Sequence, residues 1–156
     1  MQPPDLPQPI SARAISPGAQ LGVDREMISR VVYGFYDRIR ADDRLGPIFA
    51  ARIAEDRWPV HLETMVEFWS SVLLTTATYK GRPVPAHLNL PVEDAHFAHW
   101  LNLFEEVVDA LCTKQVAALF MDRAERIASS LRYAIAMHNA PDGRPVFPAP
   151  LKREAV

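Results

Sequence analysis

One histidine of this chain lies in a segment that is crowded with prolines. In the stretch RPVPAHLNLP, residues 82–91, His87 is accompanied by Pro83, Pro85 and Pro91. Because proline lacks a backbone N–H and rarely lies inside a helix, we expect this segment to be a loop. A loop histidine is most often simply solvated. The alternative is an imidazole that the prolines hold in place to bind a metal or a cofactor.

Three other polar side chains lie on or beside otherwise apolar helix faces. His61 precedes Met65 by one turn, Tyr36 flanks the inner face of its helix, and Trp100 lies centrally on a third apolar stripe. A buried N–H or O–H group without a partner costs about 1–3 kcal/mol. Each group therefore bonds either to a nearby backbone carbonyl, as in an ordinary core, or to a shared ligand.

Four helices must position these residues. Their apolar positions recur at steps of three and four, and no strand pattern of similar strength is present. Four helices with wide apolar faces predict an all-α domain, either an up-down bundle or a globin-like sandwich of crossed pairs. The stripes are Ile28, Val32, Phe35 and Ile39; His61, Met65, Phe68, Trp69 and Val72; Phe97, Trp100, Leu101, Phe104, Val108 and Leu111; and Val116, Phe120, Ala124, Ile127, Leu131 and Ile135.

Composition narrows the class of protein. The 156 residues, 49% hydrophobic, suffice for one domain with a core that could enclose a cofactor. A net charge of −2 gives no reason to expect a nucleic-acid partner, and no apolar run is long enough to cross a membrane. The single cysteine, Cys112, excludes an internal disulfide. We expect a cytoplasmic protein, with Cys112 acting as a small buried hydrophobe.

Most of the prolines lie at the two ends of the chain, where periodic patterning is absent. We therefore predict a disordered proline-rich extension over residues 1–20, a folded domain over residues 21–140 and a proline-rich tail over residues 141–156. A tail that docks a partner through extended proline segments is the alternative. His96 and His99 have helical i, i+3 spacing, and we expect them on the surface rather than in a metal site.

A cleft between the second and third helices would place His61 and His87 on opposite walls. Two imidazoles in that arrangement could face each other across a flat cofactor. Haem is one such group, because its iron is commonly held by one axial histidine while donors on the other side tune ligand binding. No Ser/His/Asp order, Gly-rich phosphate loop or HExxH pattern points to another chemistry.

Several linked stretches resemble the truncated haemoglobins, most closely their third group. These are FYDRIRADDRLGPIFAARI, WPVHLETMVEFWSSVLL, AHLNLPVEDAHFAHWLNLF and RAERIASSL, in order and within residues 21–138. The paired glycines of the first and second groups are absent, as is usual for the third. The resemblance implies a two-over-two globin-like helical sandwich that encloses haem b.

The resemblance also implies roles for individual residues. His87 looks like the proximal iron ligand, in a loop that replaces most of the helix bearing this residue in full-length globins. Tyr36 and Trp100 match distal donors to the bound ligand. His61 matches the distal histidine that gates entry, and it is a possible sixth iron ligand. Residues resembling those that line or support the haem cavity are Phe35, Phe49, Met65, Phe68 and Trp69.

Two haem-based functions fit these residues. One is reversible binding of dioxygen, carbon monoxide, nitric oxide or another small ligand, for storage, transport or sensing. The other is a redox enzyme that dioxygenates nitric oxide or reduces peroxide, which would need a separate reductase because no flavin site is evident in this chain. A helical scaffold without haem is the third and weakest possibility.

Overall fold

The computed structural model describes residues 15–144 and 148–153. Within them every regular element is a helix, and the four long helices coincide with the four predicted stripes. The α-helices are α1 (Pro17–Gln20), α2 (Arg25–Ala41), α3 (Gly46–Ala50), α4 (Trp58–Leu74), α5 (Pro83–His87), α6 (Asp94–Leu111) and α7 (Lys114–His138), with 3₁₀ turns at Glu55–Arg57 and Pro141–Gly143.

Local chemistry sets the starts of the long helices. Asp24 accepts a hydrogen bond from the Met27 N–H at 2.9 Å and caps α2, as its position before the first stripe predicts. Thr113 caps α7 in the same way through the Val116 N–H. Pro59 lies in the first turn of α4, where its missing N–H leaves no intrahelical bond unmade.

The helices pack as two crossed pairs, the two-over-two globin arrangement predicted by the resemblance. Helix α2 lies against both α4 and α6, and α6 lies against α7. Phe104 and Phe120 are fully buried where these helices meet. Burial of each such side chain stabilises the fold by about 1.5–3 kcal/mol. Leu111, placed on the third stripe, is instead 46% exposed because α6 ends there.

The proline segment differs from its prediction, because residues 83–87 form helix α5 rather than a loop. Pro83 lies at the first helical position, where proline is tolerated, and Pro85 is still within the first turn. His87 is the last residue of this helix, and none of its five residues is fully buried. The prolines therefore start a short helix instead of preventing one.

The amino-terminal extension also differs from its prediction within the described residues. Helix α1 lies inside residues 1–20, and it packs on the end of α4. A Cβ atom at Gly18 would come within 2.7 Å of the Leu73 carbonyl oxygen, so only glycine permits this approach. Residues 1–14 of the predicted extension lie outside the described residues.

Residues 148–153 of the predicted tail contact the domain. Leu151 packs against the core, and Arg153 pairs with Glu105 and Glu125 at 2.9 and 3.1 Å. The buried Arg132 donates to the Ala149 carbonyl at 2.7 Å. The tail thus supplies an acceptor to Arg132, and α6 and α7 supply carboxylates to Arg153. Apolar periodicity does not predict such polar contacts. Residues 145–147 and 154–156 of the tail lie outside the described residues.

Candidate functional site

One cavity lies between the helices and is bounded by α2, α3, α4, α5, α6 and α7. Its walls are mostly apolar, and a few polar side chains face into it. The lining residues are Tyr36, Leu45, Ile48, Phe49, His61, Met65, Phe68, Trp69, His87, Leu90, Val92, His96, Phe97, Trp100, Ile127, Ala128 and Leu131. An apolar cavity with a few convergent polar groups is the usual form of a cofactor or ligand site.

Three long helices bring Tyr36, His61 and Trp100 to this cavity. The Tyr36 and His61 rings meet edge to face with centroids 5.1 Å apart. Burial raises the pKa of Tyr36 far above its usual range. The phenol therefore stays protonated at neutral pH and keeps its O–H as a donor.

His61 has a buried ring nitrogen, Nε2, that bonds to none of the described residues. Burial lowers the pKa of His61, and the nearby His87 lowers it further. The imidazole is therefore neutral at neutral pH, and Nε2 can donate a hydrogen bond or bind a metal ion, depending on its tautomer. Because an unpaired buried polar atom costs about 1–3 kcal/mol, this atom points to a ligand in the cavity.

His87 reaches the cavity from the end of α5. Its Nδ1 donates a hydrogen bond to the carbonyl oxygen of Pro83, one helical turn earlier. This bond places the ring proton on Nδ1 and leaves the Nε2 lone pair free. A histidine that binds a metal almost always makes such an outer bond, which orients the ring and raises its basicity.

The chain is similar to known globins in sequence and in structure. The family described as "Bacterial-like globin" matches residues 19–139. The chain is 34% identical over 110 residues to "Group 3 truncated hemoglobin ctb" from Campylobacter jejuni, covering 69% of this chain and 87% of that protein. The crystal structure of group III truncated haemoglobin from C. jejuni superposes with a TM-score of 0.70 at 30% identity, covering 76% of this chain and 96% of that one.

The chain belongs to the group III truncated haemoglobins. Membership in this globin family makes it a haem-binding protein with small gaseous ligands. The cavity of this truncated haemoglobin fits such a group, because His87 keeps a free nitrogen and His61 Nε2 lacks a partner. Within the described residues, no helix is both long and apolar enough to cross a membrane.

A stack of aromatic rings lies behind Trp100 in this truncated haemoglobin. The Trp100 and Phe104 rings are stacked at 5.8 Å, and Phe104 stacks on Trp69 at 5.3 Å. Phe35 meets Trp100 edge to face at 5.6 Å from the side of α2. The indole of Trp100 is therefore fixed on two sides by core residues that do not line the cavity.

Of the residues predicted to line or support the cavity, Phe49, Met65, Phe68 and Trp69 line it, together with the four residues assigned to the iron and its ligand. Phe35 does not line the cavity and supports Trp100 from behind. Several lining residues were not predicted as site residues. Phe97, Ile127 and Leu131 lie on the predicted stripes; Leu45, Ile48, Leu90, Val92 and Ala128 lie elsewhere.

His96 and His99, which we expected on the surface, are both only partly exposed. His96 lines the cavity, whereas His99 Nε2 bonds to Asp42 at 2.7 Å. Among the described residues no group of three or more His, Cys, Asp or Glu side chains could hold a metal ion. Cys112 is half-buried against the core, where burial raises the pKa of its thiol.

Proposed function

We propose that this truncated haemoglobin binds haem b through His87 and reversibly binds dioxygen and other diatomic ligands on the opposite side. The proposal rests on the hydrogen bond that His87 Nδ1 donates to the Pro83 carbonyl. Because of this bond the lone pair of His87 Nε2 stays free at the cavity. Haem supplies an iron with an open position for small ligands. Attachment is noncovalent, because the single cysteine excludes a CxxCH motif.

The distal residues act on a ligand that gains negative charge when it binds, as dioxygen does. Tyr36 remains protonated, so its O–H can donate to such a ligand, and the Trp100 N–H is a second donor. A hydrogen bond to a charged acceptor contributes about 1.5–3 kcal/mol. We assign His61 the role of a gate, since its neutral ring lies against Tyr36 and Trp58 and its Nε2 has no hydrogen-bond partner among the described residues.

Absorption spectra of the ferric, ferrous and carbon-monoxide forms test the proposal. The wild-type protein is expected to show bands of histidine-bound haem, and acid-acetone extraction should remove the pigment. His87→Ala should lose the axial-imidazole signature, and the control His99→Ala should retain it because His99 pairs with Asp42. A wild-type protein that takes up no haem, or a His87→Ala ferrous spectrum identical to the wild-type spectrum, would refute the assignment.

The same spectra decide whether His61 binds the iron as a sixth ligand. A low-spin ferric spectrum that becomes high-spin in His61→Ala would assign that role. A spectrum that stays high-spin in both proteins would leave His61 as a gate only.

A second candidate function is redox turnover of nitric oxide or peroxide. The donors around the cavity favour it, because preorganised donors stabilise charge that develops on a reacting ligand. Electrons would come from a separate reductase, and we propose the cytoplasm as the compartment, where a single unpaired cysteine is typical. Catalytic consumption of nitric oxide or peroxide with a chemical reductant would support this candidate, whereas a single stoichiometric reaction would exclude it.

A further inference from the structure

His96 is the cavity histidine for which the proposed function gives no role. It lies in the first turn of α6 beside exposed residues, and it lines the cavity together with Leu90 and Val92 of the preceding loop. It is therefore at the rim of the cavity rather than in its depth. His61 and His87, by contrast, line the interior, where His87 lowers the pKa of His61.

The structure assigns the proton of the His96 ring. Its Nδ1 accepts a hydrogen bond from the Glu93 backbone N–H at 2.9 Å. A ring nitrogen that accepts carries no proton, so the neutral imidazole must hold its proton on Nε2. No other described residue bonds to that Nε2. His96 thus presents an oriented N–H donor that no described residue uses.

Haem carries two carboxylates at the edge of an otherwise apolar ring. Anionic groups at a partly solvated rim are stabilised by N–H donors, and such charge-assisted bonds are about twice as strong as neutral ones. The carboxylate of Asp94 is nearby in sequence, but Arg132 holds it by two hydrogen bonds of 2.9 Å. The Asp94 carboxylate therefore already has a hydrogen-bond partner in Arg132.

We infer that His96 is a haem-positioning residue whose Nε2–H donates to one haem carboxylate. The inference rests on the proposed function and adds to it a contact at the cofactor's edge. The hydrogen bond from the Glu93 backbone N–H to Nδ1 caps the start of α6 and also selects the tautomer that donates from Nε2. The interaction holds the cofactor without touching the iron or its ligand.

Haem release to an excess of apomyoglobin tests this contact. The wild-type protein and His96→Leu are each loaded with haem or with haem dimethyl ester, which lacks the carboxylates. We expect His96→Leu to release haem about 10-fold faster, the size of one hydrogen bond to a partly solvated anion. Release of the dimethyl ester should differ by less than about twofold between the two proteins, because the ester lacks the charged acceptor.

Two further variants keep the result interpretable. His96→Gln retains an N–H donor at the position of Nε2 and should restore haem release to within about threefold of wild type. His99→Leu removes an imidazole from the same helix that bonds to Asp42 instead, and it should leave the release ratio of haem to ester unchanged. Equal acceleration of haem and ester release by His96→Leu would overturn the inference, because packing alone would then explain it. Failure of the wild-type protein to bind haem would instead refute the proposed function.

Discussion

The residues that face His87 across the cavity lie on long helices, whereas His87 itself ends a helix of five residues. The polar cavity residues of α2, α4 and α6 lie in helical turns that also carry buried core residues such as Phe35 and Phe104. Helix α5 has no fully buried residue and follows a segment in which Thr75 and Ala77 have positive φ values. Packing therefore positions Tyr36, His61 and Trp100, and one local hydrogen bond orients the His87 ring.

This difference has a physical consequence for how each side tolerates change. Core packing couples many residues, so a cavity created behind the distal donors affects both stability and ligand binding. A short, partly exposed helix contributes little to global stability, so changes there act mainly on the ring that it carries.

The largest effect is expected for Phe104→Ala, which removes the ring between Trp69 and Trp100. Phe-to-Ala changes in a core cost about 3–5 kcal/mol, or about 10 °C in midpoint for a domain of this size. The matched proximal change, Pro85→Ala, should cost less than about 1 kcal/mol. Thermal unfolding of the haem-loaded proteins measures both, and equal losses would contradict the contrast between the two sides.

The next effect concerns the distal donors themselves. Tyr36→Phe and Trp100→Phe should each speed dioxygen release by about 10- to 100-fold, the value of one hydrogen bond to a charged acceptor. Carbon monoxide carries little negative charge, so its release should change much less. His61→Ala should mainly speed carbon monoxide entry. Stopped-flow measurements on the three variants decide this, and unchanged dioxygen release in both donor variants would disprove the distal network.

A smaller effect is expected from removal of residues 148–156. This deletion removes the acceptor of Arg132 at Ala149 and the core contact of Leu151. We expect a loss of about 1–2 kcal/mol, or roughly 2–8 °C in midpoint. Deletion of residues 154–156 alone is the control, because it retains these contacts. If the longer deletion leaves the midpoint unchanged, the tail contributes nothing to the helices beneath it.

The smallest effect is expected for Asp42→Asn, at the contact between α6 and the end of α2. Burial alone would raise the pKa of Asp42, but hydrogen bonds from the Leu45 N–H, His99 and the Arg44 N–H hold it below the ordinary value of 3.8. Because the folded pKa is the lower one, this stability is present above about pH 4 and is lost as the pH falls through the folded pKa.

We therefore expect Asp42→Asn to lower the thermal midpoint by about 2–4 °C at pH 7, equivalent to about 1 kcal/mol. The difference from wild type should vanish as the pH falls below about 4. Asp43→Asn, at the neighbouring exposed position, is the control and should have no comparable effect. A difference between wild type and Asp42→Asn that grows on acidification would show that the charge of Asp42 does not stabilise the fold.

Apolar periodicity was sufficient to predict α2, α4, α6 and α7, because each long helix must bury a continuous stripe. It was not sufficient for α5, whose prolines occupy first-turn positions that tolerate them. The short α3 likewise has no apolar stripe that could predict it. The lining residues Ile48, within α3, and Leu45, just before it, were therefore missed.

The sequence by itself determined the residue types and the order of the elements, and with them the resemblance that assigned Tyr36, His61, His87 and Trp100. Only the tertiary structure decided which side chains face the cavity. It placed His96 at the edge of the cavity, where its ring accepts a hydrogen bond from the Glu93 backbone N–H at the start of α6. It also gave the buried Arg132 its partners from two distant segments, since burial of a charge depends on what packs over it.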